Sequence, residues 1–520
     1  MTETAEITFN ELLGSYRDAA PDRIDDAFHD LVDALWTDGA ARPTAAAAVP
    51  ELIGALDSVD GDRRGYLLVL LGLLAEAEHP ATDGPVATAV REGIDGYLDA
   101  ARGATEPDAP LTLALLYLLA HFPTDRARIL DATRHLGLDA PDRTRLERAL
   151  DTLDEADPNI GRAWPSPAEW NISEAEREFD RRWIRALTPT QIRTTWDGDT
   201  RSVLATMGAK ALWAQGNGKP AAAVDPSPHN LVVETNPRDL DPAAFERHRE
   251  ALKCPACRGP LTFDTTVARC GQCDAAYGIT HGVLDLSQRL RPGAGKSDSS
   301  DDAEADVLQN AAVLAGIGFH YEQGMRPNFL RIMGRNWSGE VTPTDEDEYI
   351  AAHLWHRGGT VLDLAAAAGR WTAVVCEAVG TERVLALDLN EAMLYDLRSR
   401  LTEVPAVRGD ALDLPFPDAS LDAVNFWNAL QAVPDAGRAI AEIGRCLRPG
   451  GTLTLMTFRW DDSPVYRYYQ RSHHFPARPD GFVLFEIAEI KQWLDDAGLT
   501  IIAESYPGTF VFVTAERRPS

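Results

Sequence analysis

The segment TVLDLAAAAGRW at positions 360–371 decides the fold of the carboxyl-terminal part of the chain. Its first five residues form a short apolar run, which predicts a buried strand, and the small residues that follow predict a tight turn into a helix. A second apolar run, RVLALD at 383–388, comes about twenty residues later and also ends in an acid. A strand, a helix and a second strand at this spacing are typical of a β-α-β unit with parallel strands.

Further apolar runs continue the alternation along the chain. They occupy positions 405–410, 421–427 and 451–456, and a helix is predicted over 436–447 before the last of them. A helix over 486–497 and two strands over 501–506 and 509–515 would close the sheet with an antiparallel pair. The sequence therefore predicts a doubly wound, Rossmann-like sheet within a domain over 307–520.

Acids follow three of the predicted strands, at Asp363, Asp388 and Asp410. Ligands of open α/β sheets bind in the crevice at the carboxyl ends of the strands, so these acids indicate a ligand there. The acid after the second strand suits a ribose, because a carboxylate accepts hydrogen bonds from both hydroxyls. A dinucleotide site would need a G-x-G-x-x-G loop beside the pyrophosphate, and no such loop occurs here. Asp363 would repel a pyrophosphate but suits a ligand that carries an ammonium group.

These motifs resemble those of the class I S-adenosylmethionine-dependent methyltransferases. The residues that fall on the family pattern h-h-D-x-G-x-G-x-G are Val361, Leu362, Asp363, Ala365, Ala367 and Gly369. Segments 421–435 and 442–451 resemble the fourth-strand motif and the turn before the fifth strand. The resemblance implies S-adenosylmethionine as cofactor and methyl transfer as the activity.

The resemblance also implies roles for individual residues. Asp388 would bind the ribose, and Asp410 and Ala411 would lie beside the adenine amino group. The full set of cofactor-binding residues that it implies is Tyr321, Asp363, Ala365, Ala367, Gly369, Asp388, Leu389, Met393, Asp410, Ala411 and Asn428.

The chain departs from the family pattern in two places. Ala365 and Ala367 replace the first two glycines of the loop, and Gln431 and Ala432 stand where the family often has Glu-His. A backbone with positive φ at an alanine costs on the order of 1 kcal/mol. We therefore expect a strained loop with reduced affinity for the cofactor.

Catalytic residues are difficult to assign, because methyl transfer to a positioned acceptor needs a base only when the acceptor must lose a proton. The candidates are His320 and Tyr321, in the predicted cap of the cofactor pocket, and His473 and His474, after the fifth strand. Tyr321 is also expected to contact the cofactor as part of a lid. An aromatic set would form an apolar acceptor pocket, although core packing explains it equally well. Its members are Trp427, Phe458, Trp460, Tyr466, Tyr468 and Tyr469.

Two CxxC motifs lie close together ahead of this domain. They place Cys254 and Cys257 twelve residues before Cys270 and Cys273. Four thiolates at this spacing are typical of a closed, structural Zn²⁺ site, with a redox-active cysteine pair as the alternative. The sequence therefore predicts a zinc ribbon over 250–290.

The remaining segments complete a multidomain chain that combines an α and an α/β part. Residues 1–160 show apolar residues at helical spacing and predict a HEAT-like array or a helical bundle. Residues 161–249, with a predicted helix over 174–187, form a connecting region, and the Gly/Ser/Asp-rich stretch 291–306 is predicted to be a flexible linker. The helical region would serve as a scaffold or as a surface for a protein partner.

Composition narrows the functional classes. The 520 residues are 45% hydrophobic and carry a formal charge of −30, and such acidity opposes binding to a phosphate backbone. The longest apolar stretches, at 66–77 and 111–122, are shorter than the roughly 20 residues that a membrane span needs. The first residues show neither a basic region nor an apolar signal segment, which predicts a cytoplasmic location.

Three hypotheses of function remain. The first is a methyltransferase for a small-molecule or lipid-like acceptor, in keeping with a resemblance of residues 250–517 to uncharacterised plant-plastid and bacterial methyltransferases with a preceding ribbon. The second is an RNA methyltransferase, because a ribbon before such a domain is similar to that of the rRNA guanine-N1 methyltransferases. The third is a non-catalytic scaffold with a degenerate methyltransferase domain, which the two loop alanines favour.

Overall fold

The computed structural model describes residues 8–81, 83–155, 187–218, 239–287, 326–355, 357–473 and 483–519. The chain forms two compact units. One consists of Met1–Ala223 together with Asp461–Phe475, and the other of Val224–Trp460 together with Pro476–Ser520. We refer to them as the helical unit and the sheet unit.

The helical unit is built mainly from α-helices. Their bounds are Phe9–Asp18, Ile24–Leu35, Ala45–Ala55, Gly61–Glu76, Pro85–Arg91, Ile94–Gly103, Pro110–Leu119, Arg126–Thr133, Ala140–Ala149, Pro189–Asn217 and Pro464–Ser472. The helix Gly61–Glu76 shows why: Asp60 caps it by accepting from the Arg63 amide at 2.9 Å, and the apolar run after it is buried on all sides.

Two short strands interrupt this series of helices. β1 (Trp36–Thr37) and β2 (Ala40–Ala41) pair antiparallel through the loop Asp38–Gly39, whose φ angles are 52° and 88°. An Asp-Gly loop with positive φ at both residues is a favoured two-residue hairpin turn, so this hairpin departs from the helices predicted throughout the region. The HEAT-like arrangement stays a prediction.

A segment from the carboxyl-terminal half of the chain belongs to the helical unit. Within Asp461–Phe475, the Tyr468 hydroxyl donates to Glu76 at 3.0 Å, and the Ser463 hydroxyl lies 2.9 Å from Nε2 of His29. A Cβ added to Gly208 would approach the Tyr469 ring to 2.5 Å. This grouping differs from the predicted single domain over 307–520, because long-range packing rather than chain order holds the segment.

The sheet unit contains one continuous sheet of eleven strands. The strands are β3 (Leu261–Phe263), β4 (Val267–Cys270), β5 (Ala276–Thr280), β6 (Val283–Asp285), β7 (Val361–Leu364), β8 (Val384–Asp388), β9 (Ala406–Arg408), β10 (Leu421–Trp427), β11 (Leu447–Phe458), β12 (Leu499–Ser505) and β13 (Phe510–Arg517). Their order in the sheet is β12-β13-β11-β10-β7-β8-β9-β6-β5-β4-β3. The helices are Ala243–Glu246, Arg326–Met333, Pro343–His353, Arg370–Val379, Glu391–Arg400, Ala436–Cys446 and Ile487–Asp496.

The pairing confirms the predicted doubly wound sheet. Strands β7 to β11 pair in parallel, and β13 lies antiparallel between β11 and β12. β10 is buried at all seven positions, as a strand covered on both faces requires. The helix Ala436–Cys446 buries one apolar stripe, which includes Ile440 and Ile443.

Some predicted segments fall outside the described residues. The linker over 291–306 does so entirely, and the helix predicted over 174–187 does so except for Leu187. In the described parts of the chain, every helix is too short or too polar to cross a bilayer.

Candidate functional site

The loop after β7 has a left-handed backbone at three positions. The φ angles are 56° at Ala365, 44° at Ala367 and 87° at Gly369. Gly369 is also crowded, because an added Cβ would lie 2.8 Å from Cγ of Leu397. The backbone at the two alanines is the strained one that we expected, and an L-residue pays on the order of 1 kcal/mol for it.

Asp363 lies buried on β7, with only 2% of its surface exposed. One carboxylate oxygen accepts from the Thr372 hydroxyl at 2.5 Å, and the other accepts from Nδ2 of Asn425 at 2.8 Å. Burial raises the pKa of Asp363 to about 6, and the two hydrogen bonds oppose that rise. Asp363 is therefore a fixed acid that is mostly ionised at neutral pH.

Sequence reasoning missed both partners of this acid. Asn425 is a polar residue within an apolar strand and sits in register with Asp363. That interruption was a usable signal, because a polar side chain in a doubly covered strand needs a partner. Thr372 lies one turn into the helix that follows the loop and gave no comparable signal.

Asp388 at the end of β8 is bonded to the same loop. Its Oδ2 accepts from the Ala367 amide and its Oδ1 from the Asn390 amide, both at 2.8 Å. Burial raises the pKa of Asp388 above its usual value, and these amide hydrogen bonds offset only part of the rise. Each oxygen keeps a further lone pair, so the carboxylate can still accept from a diol.

The residues expected to contact the adenine lie on the loops after β8 and β9. Leu389 is 60% exposed, although it follows a buried strand. The amide of Met393 donates to the Asn390 side chain at 3.2 Å, at the start of the helix Glu391–Arg400. Asp410 is exposed, and its carboxylate accepts from the Leu412 amide at 2.9 Å, beside the half-buried Ala411.

Asn428 follows β10 with a φ of 54°. Its amide donates to the Met456 carbonyl at 2.9 Å, and its side-chain oxygen accepts from Nε2 of Gln431 at 3.0 Å. Gln431 in turn accepts from the Thr457 hydroxyl at 3.0 Å. Gln431, which stands where the family often has Glu-His, thus stabilises the loop after β10 through these hydrogen bonds.

Of the four candidate bases, His320, Tyr321 and His474 lie outside the described residues. His473 is buried in the helical unit. The aromatic set divides in the same way: Tyr466, Tyr468 and Tyr469 belong to the helical unit, whereas Trp427, Phe458 and Trp460 belong to the sheet unit. Within the sheet unit, the Trp427 indole donates to the buried Glu346 at 3.0 Å.

The four cysteines of the two CxxC motifs form one cluster. The sulfur atoms of Cys254 and Cys273 are 3.7 Å apart, those of Cys257 and Cys270 are 3.4 Å apart, and all four lie within 4.8 Å of one another. Tetrahedral thiolates at about 2.3 Å from Zn²⁺ would lie about 3.8 Å apart. The donor set and its spacing therefore fit a four-thiolate zinc site.

Comparison with known proteins gives matches to methyltransferases. Residues 361–451 match a family described as "Methyltransferase domain". This match covers the loop after β7 together with Asp363, Asp388 and Asp410.

Particular relatives extend the likeness. Two uncharacterised chloroplastic methyltransferases of Arabidopsis thaliana are 28% and 26% identical over 41% and 52% of this chain. This chain spans 63% and 78% of their lengths. A demethylmenaquinone methyltransferase of Listeria monocytogenes is 38% identical over 21% of this chain and 49% of its own length.

A solved S-adenosylmethionine-dependent methyltransferase of Mesorhizobium loti is 22% identical and covers 33% of this chain and 96% of its own, with a TM-score of 0.29.

Proposed function

We propose that this protein is an S-adenosylmethionine-dependent methyltransferase that acts on a small-molecule or lipid-like acceptor. The observation that carries the proposal is the strained loop after β7, with the buried acid Asp363 before it and its Ala367 amide bonded to Asp388. These groups lie at the carboxyl ends of parallel strands, where open α/β sheets bind their ligands.

The charges and the exposure of these groups support a role for each of them in this proposal. Asp363 would attract the ammonium of the methionine moiety through its ionised carboxylate. Asp388 would accept hydrogen bonds from the ribose hydroxyls with its remaining lone pairs. The exposed Leu389 would pack on the adenine, and Asp410 with Ala411 would meet its amino group.

The chemical step asks little of the protein besides placement. Bound S-adenosylmethionine would supply a methyl group on a sulfonium, whose sulfur leaves as a neutral thioether. The chain's own groups would fix that methyl group in line with the acceptor and keep the charged ends of the ligand in place. The proposed reaction requires no base when the acceptor has no proton to lose. His320, Tyr321, His473 and His474 stay candidates only for an acceptor that must lose a proton.

The acceptor is better sought among small molecules than nucleic acids. A formal charge of −30 opposes a phosphate backbone, because nucleic-acid binding depends on neutralising phosphates with Lys and Arg. The demethylmenaquinone methyltransferases among the relatives act, by their name, on a small molecule. An RNA acceptor is the alternative, which the ribbon supports; it predicts RNA binding that weakens as salt rises.

We further propose that the cysteine cluster holds a structural Zn²⁺. The four thiolates would fill the tetrahedral coordination of the ion and leave no open position for a substrate or water. The ion would therefore stabilise the ribbon and take no part in the chemical step. Metal analysis of the purified protein, with Cys257→Ser and Cys273→Ser as comparison, is expected to give one zinc per chain that both variants lose.

Calorimetric titration with S-adenosylmethionine and S-adenosylhomocysteine tests the proposed activity. We expect micromolar binding to the zinc-loaded protein and its loss in Asp388→Ala. Asp418→Ala, which removes an acid with 81% exposure in the same unit, is the matched control and should bind as the wild type does.

If the intact protein binds neither ligand, the proposed methyltransferase activity is contradicted. The hypothesis of a non-catalytic scaffold, which the strain at Ala365 and Ala367 supports, is then favoured. In that case the helical unit would be the place to look for a protein partner.

A further inference from the structure

The last strand of the cysteine ribbon is at the same time a strand of the main sheet. β6 runs parallel to β9, with Asp285 opposite Arg408. The Ala406 amide donates to the Gly282 carbonyl at 3.1 Å, and the Leu286 amide donates to the Arg408 carbonyl at 3.0 Å. The ribbon therefore shares a hydrogen-bonded ladder with the sheet that carries the candidate cofactor site.

Arg408 connects this strand to the loop after β8. Its Nη1 donates to Asp285 at 3.2 Å and lies 3.7 Å from Glu391, and its Nε donates to the Leu389 carbonyl at 3.2 Å. The other oxygen of Asp285 accepts from the hydroxyl of Ser287 at 2.6 Å and from its amide at 2.9 Å. Asp285 is thus fixed from both sides and holds the guanidinium against the loop.

A second contact acts on the helix that follows the same loop. Nε of Arg398, within Glu391–Arg400, donates to the His281 carbonyl at 3.1 Å. Gly282 has a φ of 79°, and a Cβ there would lie 2.5 Å from the same Nε. The guanidinium of the buried Arg398 also donates to two further backbone carbonyls. The turn between the last two ribbon strands therefore closes directly onto the helix.

The loop after β8, which Arg408 contacts, has little side-chain packing of its own. The Leu389 side chain is 60% exposed, so its own burial does not fix the backbone beside Asp388. Hydrogen bonds hold that backbone instead: the Asn390 amide donates to the Asp388 carboxylate, the Gly409 amide donates to the Asp388 carbonyl, and Arg408 donates to the Leu389 carbonyl.

We propose that the cysteine ribbon orders the ribose- and adenine-binding loop of the methyltransferase site, with Asp285 as a positioning residue that acts through Arg408. This inference rests on the proposed function, because it takes Asp388 and Leu389 as cofactor contacts. Asp285 touches no ligand; it holds the guanidinium that holds the Leu389 carbonyl. The ribbon then contributes to cofactor affinity as well as to its own fold.

The test is titration of full-length, zinc-loaded Asp285→Asn with S-adenosylhomocysteine and with adenosine. We expect the Kd for both ligands to rise by the same factor, about 3- to 30-fold, with unchanged stoichiometry. Equal losses place the effect at the ribose and adenine, because adenosine lacks the methionine moiety. Asp285→Glu keeps a carboxylate within reach of Arg408 and should restore most of the affinity.

Glu504→Gln is the matched control. It removes an ion pair with Lys491 at 2.9 Å in the same unit, on β12 at the far end of the sheet order, and should leave both Kd values unchanged. Wild-type affinity in Asp285→Asn would overturn the inference, as would a fall in stoichiometry at unchanged Kd. If the wild type binds neither ligand, the proposed function fails, and this inference fails with it.

Discussion

Each unit of the molecule buries several acids, and two of them, Glu76 in the helical unit and Asp363 in the sheet unit, differ in what surrounds them. Glu76 in the helical unit is 3% exposed and accepts from the hydroxyls of Tyr117 at 2.6 Å and Tyr468 at 3.0 Å, with Nε2 of His121 at 3.4 Å. Asp363 in the sheet unit is 2% exposed and accepts from Thr372 and Asn425.

The pKa shifts of the two acids run in opposite directions. Burial alone would raise the pKa of Glu76, but the neighbouring His121, Tyr117 and Tyr468 outweigh it, and the pKa lies below its usual value. Burial raises the pKa of Asp363 to about 6, because its two donors offset burial only in part. Glu76 is a satisfied structural acid, whereas Asp363 has capacity left for a cation. Burial by itself therefore does not identify a functional site.

The largest effect is expected from Glu76→Ala. It leaves two buried tyrosine hydroxyls without their acceptor, and the free energy of unfolding of the helical unit should fall by about 3–5 kcal/mol. Urea unfolding followed by tyrosine and tryptophan fluorescence measures it. Glu76→Gln keeps one acceptor oxygen and should lose less than half as much; equal losses in the two variants would mean that the charge, not the hydrogen bonding, stabilises this cluster.

Asp363→Asn should have the converse effect. The amide can still accept from Asn425 and donate to the Thr372 hydroxyl, so we expect the free energy of unfolding to change by no more than about 1 kcal/mol. The Kd for S-adenosylhomocysteine should rise by about 10- to 100-fold, because the ammonium loses its counter-charge. Calorimetry gives the Kd, and thermal unfolding gives the stability. An unchanged Kd would mean that Asp363 is as structural as Glu76.

The pH dependence of binding separates the two acids again. The affinity of the wild type for S-adenosylhomocysteine should decline as pH falls through about 6, where Asp363 takes up a proton, and Asp363→Asn should lack this decline. The folded pKa of Asp363 is raised, so protonation of this carboxyl favours the folded state. Its contribution to the free energy of unfolding is full below the unfolded pKa and is lost as pH rises through about 6. Glu76 has a lowered folded pKa, so its contribution to the free energy of unfolding is present above the unfolded pKa and is lost as pH falls through the folded pKa.

The strands that carry Asp363 and Asp388 could be predicted from the sequence, whereas the surroundings of Glu76 could not, and the reason is physical. The strands β7, β8 and β10 are buried at nearly every position, so each forms an apolar run in the sequence, and the acids on β7 and at the end of β8 are local signals. The contact between Glu76 and Tyr468 joins residues 392 positions apart, and the placement of Asp461–Phe475 depends on such contacts. No local pattern encodes them.

The smallest effect is expected at the loop alanines, and it shows how far this site departs from an unstrained one. Ala367→Gly relieves a left-handed backbone with a φ of 44°, while the added freedom of the unfolded chain cancels part of the gain. The free energy of unfolding should rise by about 0.5 kcal/mol, and S-adenosylhomocysteine should bind a few-fold more tightly, because a loop without this strain costs less to hold in one conformation.

Ala366→Gly is the matched control. Ala366 is buried, its amide donates to the Leu387 carbonyl at 3.1 Å, and it is not among the residues with positive φ, so the same substitution there should destabilise the protein by about 0.5–1 kcal/mol. If both variants lose stability alike, the two alanines carry no strain, and the loop offers no reason for weakened cofactor binding. A gain at Ala367 alone would show that the chain tolerates strain beside Asp363 and Asp388, whereas Glu76 is held by three hydrogen-bond partners.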